Sequence, residues 1–180
     1  MAWNVPISWV DGTTVTGAQL NLYLRDNMNE TAPAKATVTG RIIVTTGANT
    51  IAERAVRQTY DGNPGTRTAS TFGALSGASA GPAVNNIVTG TLALVSVQCQ
   101  ANNTTGGASA RMSFDVSGAT TSAATSDRGI LFQAGSSDDN RAAALELQTL
   151  TAGTNSFNSV YLVSSGLGNF SARTIIVIAL

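Results

Sequence analysis

The chain has 180 residues, ten Lys/Arg against ten Asp/Glu, one cysteine and no histidine. Charged residues make up 11% of it, less than half of the roughly 25% in an average soluble domain. No basic field exists to hold nucleic acid, no acidic one to hold a basic partner, and no Ser-His-Asp triad, Cys-His pair, His-based metal site or internal disulfide can form.

A surface so poor in charge and rich in Thr, Ser, Ala, Gly and Asn is weakly defended against self-association, which suggests that partner subunits cover part of it. The longest apolar run, Ile175 to Leu180, is too short to cross a bilayer as a helix, so no membrane insertion is expected. Met1-Ala2-Trp3-Asn4 lacks the basic and apolar regions of a signal peptide.

Both tryptophans, Trp3 and Trp9, lie near the start, around Pro6 and the Asp11-Gly12 turn signal. Aromatics this close to a terminus act as anchors, either on the protein's own helix or on another protein. Thr16-Gly17-Ala18-Gln19 fits a capping box and predicts a helix from Thr16 to about Glu30. Leu20, Tyr23, Leu24 and Met28 (or Asn27) form one apolar stripe on it, with Arg25, Asp26, Asn29 and Glu30 on other faces. Pro33 is expected to close the element. A single narrow stripe makes no core, so the helix must dock on the tryptophans, on symmetry mates or on a partner. Residues 1–35 therefore read as an N-terminal attachment segment. Residues 36–70 read as a linker containing a short hairpin, from Arg41 to Arg54, and a loop at Asp61–Gly65.

From Thr71 to Leu180 the pattern is that of strands. Val95, Val97, Cys99 and Ala101 alternate with polar residues, Asn102–Gly107 breaks the run, and Met112, Phe114 and Val116 resume it. That reads as an antiparallel hairpin with one face buried and Cys99 inward. Strands are predicted at 70–76, 82–88, 91–101, 109–117, 129–134, 141–150, 156–164 and 173–180, with turn residues in each gap. The segment at 141–150 would also suit a helix. It is read as a strand because Ala143, Leu145, Leu147 and Thr149 keep period two against Glu146 and Gln148. The fold class expected is mainly β: an antiparallel jelly-roll sandwich over 71–180 with one short N-terminal helix. In the last strand Ile175, Val177 and Ala179 share one face and Ile176, Ile178 and Leu180 the other. A strand apolar on both faces must be covered on both. Leu92 and Leu94 ask for the same cover, so Leu92, Leu94, Ile176, Ile178 and Leu180 are the candidate oligomer interface.

Trp9, Gly12, Thr14-Val15-Thr16, Gln19-Leu20-Asn21 and Leu24-Arg25-Asp26-Asn27 together resemble the opening of a large group of bacteriophage and prophage virion proteins. Glu30–Ala36, Thr46–Asn49, Ile51–Arg54 and the closing Phe170, Arg173, Thr174-Ile175 and Val177 are also similar to them. The resemblance implies an N-terminal attachment segment and a C-terminal jelly roll, similar to tumour-necrosis-factor-like domains, that usually forms a homotrimer. Members serve as tail, fibre, head-fibre or decoration proteins. The implied location is the virion, assembled in the bacterial host cytoplasm, with other virion proteins (capsid or tail) as partners through residues 1–35.

The sequence supports three function classes: a structural virion component attached through Trp3, Trp9, Leu20, Tyr23, Leu24 and Met28; a host-glycan adhesin; and a polysaccharide depolymerase. The adhesin requires an exposed aromatic platform, for which Phe170 is the one candidate in the distal loops. The depolymerase requires a carboxylate pair drawn from Asp115, Asp127, Asp138, Asp139 and Glu146; these read more simply as solvated acids. Asp138-Asp139-Asn140 is an oxygen cluster of the kind that holds Ca²⁺, but lacks a longer spaced ligand set. The reading is non-enzymatic, with no cofactor and no metal.

Overall fold

The computed structural model describes residues 4–5, 7–77, 79–133 and 140–180. Trp3 and the Asp138-Asp139 pair lie outside the described residues. The chain forms two compact units, Met1–Ala55 and Val56–Leu180.

In the first unit Thr16 caps α1 (Gly17–Leu20): its hydroxyl accepts from the Gln19 amide at 3.2 Å, and the Gln19 side chain accepts from the Thr16 amide at 2.9 Å. A π-helical turn, Asn21–Arg25, and α2 (Asp26–Asn29) continue the helix. The helix ends at Asn29, with Glu30 as its C-cap and Thr31 extended after it, close to where the sequence predicts, but Pro33 does not end all helical structure. It sits in the first turn of α3 (Ala32–Lys35), where its missing N–H has no intrahelical partner to lose. The hairpin pairs β1 (Arg41–Gly47) with the first half of β2 (Thr50–Asp61), turning through Asn49 at φ 54°. Asparagine tolerates this left-handed conformation better than most residues. The Glu53 carboxylate accepts from the Thr37 amide and hydroxyl, both at 2.8 Å, and from the Val38 amide at 3.0 Å, tying the chain before the hairpin to its second strand. Those amide bonds, the Thr37 amide foremost, hold its carboxyl below the ordinary range.

The second unit is an antiparallel β-sandwich. Its strands are β2 from Val56 onward, β3 (Gly65–Arg67), β4 (Ser76–Gly77), β5 (Ala83–Thr89), β6 (Leu92–Asn103), β7 (Ser109–Gly118), β8 (Gly129–Gln133), β9 (Asn140–Thr149), β10 (Gly153–Val163) and β11 (Gly168–Ala179). In the larger sheet β11 pairs with β6 on one side and with β2 and β3 on the other, β6 pairs with β9, and β3 with β4. The smaller sheet has the order β5-β10-β7-β8.

Three expectations are corrected. First, β6 and β7 are not a hairpin: β6 lies in the larger sheet and β7 in the smaller. Both runs do bury alternate residues, with Val95, Val97, Cys99, Met112 and Phe114 at most 1% exposed. The connection between them changes sheets, braced by buried Asn103, whose amide donates to the carbonyls of Ser109 and Ser165 and whose Oδ1 accepts from the Thr105 amide. Period two reports that a strand has a buried face; it does not identify the paired neighbour. Second, the sandwich begins at Val56 rather than 71, because Val56–Asp61 pair with Arg173–Ile178. Third, 70–76 is not a strand. It contributes one bridge, Gly73 to Tyr161, and the first residue of β4.

The closing strand carries a bulge. Against β6 its register shifts between Ser171 and Thr174, and Ala172 stands at φ 45°. One inserted residue switches which parity points inward. Phe170 is therefore buried on one side of the bulge, and Arg173, Ile175, Val177 and Ala179 on the other. The sandwich interior is filled by Phe114, Phe157, Tyr161 and Phe170, with the last two edge to face at 4.9 Å between ring centres.

Candidate functional site

The outer face of the larger sheet is the most distinctive surface of the second unit. Strand registers set its side chains in rows. Leu147, Leu94, Ile178 and Val56 form one row across β9, β6, β11 and β2. Leu145, Ser96, Ile176 and Gln58 form the next, and Ala143, Gln98, Thr174 and Tyr60 the third. Thr149 lies beside Leu92 at one end, and Arg141 beside Gln100 at the other. The three rows contain no charged side chain. Cross-strand neighbours of this kind sit about 5 Å apart and form a continuous surface.

All five residues predicted for an oligomer interface are half-buried. Leu92, Leu94, Ile176 and Ile178 belong to this face, and Leu180 follows β11, its amide bonded to the Leu92 carbonyl at 3.0 Å. The structure adds three residues that sequence reasoning left out, and they are the most open: Leu145 at 64%, Tyr60 at 60% and Leu147 at 54% exposed. The alternation in β9 was visible, but which parity turned outward was not. Pairing with β6 decides it: Glu146 stands opposite core Val95 and Gln148 opposite core Ala93, so the leucines face away from the sandwich.

In the first unit the predicted stripe does not find a core. Leu20, Leu24, Met28 and Trp9 are all exposed and Tyr23 is half-buried. Among the described residues of the helical segment, those that are buried are Asp26, Asn27 and Glu30. Asn27 clamps the start of the chain, accepting from the Asn4 amide at 2.8 Å and donating to its carbonyl at 3.0 Å. Asp26 pairs with Arg25 at 2.8 Å, and Glu30 with Lys35 at 3.1 Å. Polar groups inward and leucines outward is the reverse of a self-contained amphipathic helix.

Behind the larger sheet lies a buried charge network that the sequence did not disclose. Arg173, 0% exposed, pairs with Asp61 at 2.7 Å and donates to the Asn63 carbonyl. Its guanidinium lies 5.8 Å from the Tyr161 ring centre. The Asp61 carboxylate also accepts from the Ser79 hydroxyl and the Asn63 amide. Burial pushes the Asp61 carboxyl up, but Ser79, Asn63 and Arg173 together outweigh it and leave it below its ordinary value. The network fastens Asp61, Asn63 and Ser79 to β11 through Arg173. Burial pushes the Tyr161 hydroxyl up, and pushes the Cys99 thiol up to about 12 against the opposing charge of Arg173.

The acids weighed for catalysis are dispersed among other duties. Asp115 accepts from Asn158 Nδ2 at 2.8 Å, Asp127 is exposed in a turn, and Glu146 is half-buried on the inner side of β9. Phe170, the candidate aromatic platform, is instead 1% exposed and belongs to the core, because the bulge in β11 turns it inward. Among the described residues no group of three or more His, Cys, Asp or Glu is placed to hold a metal ion.

No protein-family model and no curated protein sequence matches this chain. Solved structures with a similar fold include the VP2 subviral particle of infectious bursal disease virus, at 12% identity and a TM-score of 0.48 over 77% of this chain. They also include the tumour necrosis factor Eiger from S. frugiperda, at 10% identity and 0.45 over 69% of this chain and 91% of that one. A carbohydrate-binding module of the Cellvibrio mixtus lichenase 5A aligns at 14% identity and 0.31 over 83% of this chain and 94% of its own. The chain spans 38% of the length of the VP2 protein.

Proposed function

We propose that this protein is a non-enzymatic structural component of a bacteriophage virion, a homotrimeric knob attached to the particle by its N-terminal segment. The observation that carries this reading is the three uncharged rows on the outer face of the larger sheet. A monomer would leave Leu145, Leu147 and Tyr60 more than half exposed on one contiguous surface. Covering a leucine fully contributes about 1.5–3 kcal/mol relative to leaving it exposed, so a second copy seated there gains from each row. Closed symmetry buries the same patch once per subunit and leaves no open end to propagate. The attachment role rests on the opening motif quoted above and on the outward stripe Leu20, Leu24 and Met28, which asks for a partner on the capsid or tail. On the resemblance of the opening motif we assign it a decoration, head-fibre or tail-fibre position in a virion assembled in the host cytoplasm.

Light scattering on the purified chain tests it. The expected mass is three times the 18.3 kDa of one chain; a mass of one chain at micromolar concentration overturns the assembly. A chain beginning at Val56 is expected to fold and associate but not to join particles in an infected lysate. Its incorporation at the full-length level overturns the attachment role.

A further inference from the structure

Within the first unit the helical segment and the hairpin are joined by residues 36–40. α3 ends at Lys35, the backbone leaves the helical region at Ala36 (φ −80°, ψ 87°), and β1 starts at Arg41. Residues 36–40 are exposed and belong to neither helix nor strand. The path of such a stretch is set by its hydrogen bonds rather than by burial. Among the described residues those of Thr37 and Val38 converge on one group. The Thr37 amide and hydroxyl, both at 2.8 Å, and the Val38 amide, at 3.0 Å, all donate to the Glu53 carboxylate. Glu53 itself is fixed from the other side, because it stands opposite Ile43 in the β1–β2 ladder. The cations around it do not share the carboxylate. Arg41 Nε is 4.0 Å away, beyond hydrogen-bond reach. The Arg54 guanidinium donates to the Glu53 backbone carbonyl, and Lys35 is paired with Glu30 at 3.1 Å.

We propose that Glu53 is a latch on this joint. Ionised, it fixes the direction in which the helical segment 17–35 leaves the hairpin; with the carboxylate lost, the joint at 36–40 opens and the segment turns. Only an ionised carboxylate has acceptor sites for three donors and no proton of its own to set against them. A glutamine keeps one oxygen and brings an NH₂ group to face the amides, and protonation of Glu53 has the same effect. The bonds from Thr37 hold the carboxyl below its ordinary value, so the latch is shut above the usual carboxylate range and opens as pH falls below about 4. The consequence for attachment rests on the reading above: a shut latch presents Leu20, Leu24 and Met28 in one direction from the hairpin, and an open one in many.

Lys35 is the only lysine of the chain, so endoproteinase Lys-C cuts the full-length protein at one bond, beside the joint. At pH 8 Glu53→Gln is expected to be cut at least tenfold faster than the parent. Thr37→Val, which loses the hydroxyl donor alone, should be accelerated by less, and Arg41→Gln should stay within about twofold of the parent, since its contact is not a hydrogen bond. In the ¹⁵N-labelled parent the Thr37 and Val38 amide signals should move together between pH 7 and 3, with a midpoint below 4.5, and should stay still in Glu53→Gln. The Ile43 and Val44 amides report the hairpin, and those of Val95 and Val177 the sandwich. Equal cutting of the parent and Glu53→Gln overturns the latch, as do Thr37 and Val38 signals that do not titrate in the parent. Arg41→Gln cut as fast as Glu53→Gln also overturns it and assigns the joint to the ion pair. Hairpin signals lost in Glu53→Gln overturn it too, because Glu53 then holds the strand and not the joint. None of these outcomes alters the expected trimer mass or the entry of the full-length chain into particles, so the two readings fall separately.

Discussion

The two faces of the larger sheet are built from the same residue types and live in opposite conditions. On the inner face Val95, Val97, Ile175 and Val177 are at most 1% exposed. On the outer face, one residue away along each strand, Leu94, Ile176 and Ile178 are half-buried and Leu145 and Leu147 lie open. Composition therefore does not separate core from surface in this protein; position in the ladder does. The inner face is satisfied within one chain; in the proposed assembly another chain would satisfy the outer face.

The sharpest contrast is between neighbours on β11. Val177→Asp places a carboxylate in the sealed interior, where nothing pairs with it, and is expected to cost more than about 4 kcal/mol and abolish the fold. Circular dichroism and a urea melt check this; native-like spectra with unchanged stability would show that the interior is wet. Arg173→Met is expected to cost about 3–5 kcal/mol in the same melt, because Asp61 loses its buried partner. The pH dependence sharpens this. The folded-state pKa of Asp61 is depressed, so its contribution is present above the ordinary carboxylate range and is lost as pH falls below about 4. Arg173→Met and Asp61→Asn should each flatten that acid limb; a limb as steep as the parent's would place the titrating group elsewhere.

On the outer face the same kind of change should touch assembly and spare the fold. Ile178→Asp sets a charge in every copy of the interface, and in a closed trimer three of them repel around one axis. The expected product has the parent's circular dichroism and the scattering mass of a monomer; a fully trimeric variant would show that this face is solvent-exposed in the assembly. Leu147→Ser removes less, about 1 kcal/mol per subunit. It should appear as a severalfold rise in the concentration at which the trimer dissociates, with the monomer's urea midpoint within about 0.5 kcal/mol of the parent.

How far the sequence could be read follows from the same geometry. Seven of the predicted strands exist, six with nearly the expected bounds and the last beginning at Gly168 rather than 173, because turn residues and period two are local signals. The capping box at Thr16 was legible for the same reason. Partners were not: β6 and β7, adjacent in the chain with an Asn/Gly break, went to different sheets. The strand at Val56–Asp61 was hidden in a stretch of arginine, glutamine and threonine whose role is set by β11 alone. Arg173 was quoted as part of a closing motif, yet its burial depends on a one-residue bulge that no pattern announces. For the proposed assembly face, Leu92, Leu94 and Ile178 could be named because they sat opposite a stronger apolar face. Leu145 and Leu147 could not, since their own strand offers Glu146 and Gln148 as the alternative and only the register ranks the two.

Cys99 gives the molecule a built-in clock. It is the sole thiol, 0% exposed, in the middle of β6, with its ionisation pushed up to about 12. An alkylating reagent attacks the thiolate, so at neutral pH the folded chain is inert to it. Exposure restores an ordinary pKa near 8.5 and with it reactivity. The labelling rate therefore reports the openings that expose β6. If the proposed assembly forms, mass spectrometry after timed alkylation of the parent protein should give a rate that falls as concentration rises, since copies seated on the outer face would hold the ladder shut. In Ile178→Asp the rate should lose that dependence on concentration, so one sulfur reads both the lifetime of the fold and its coupling to the assembly.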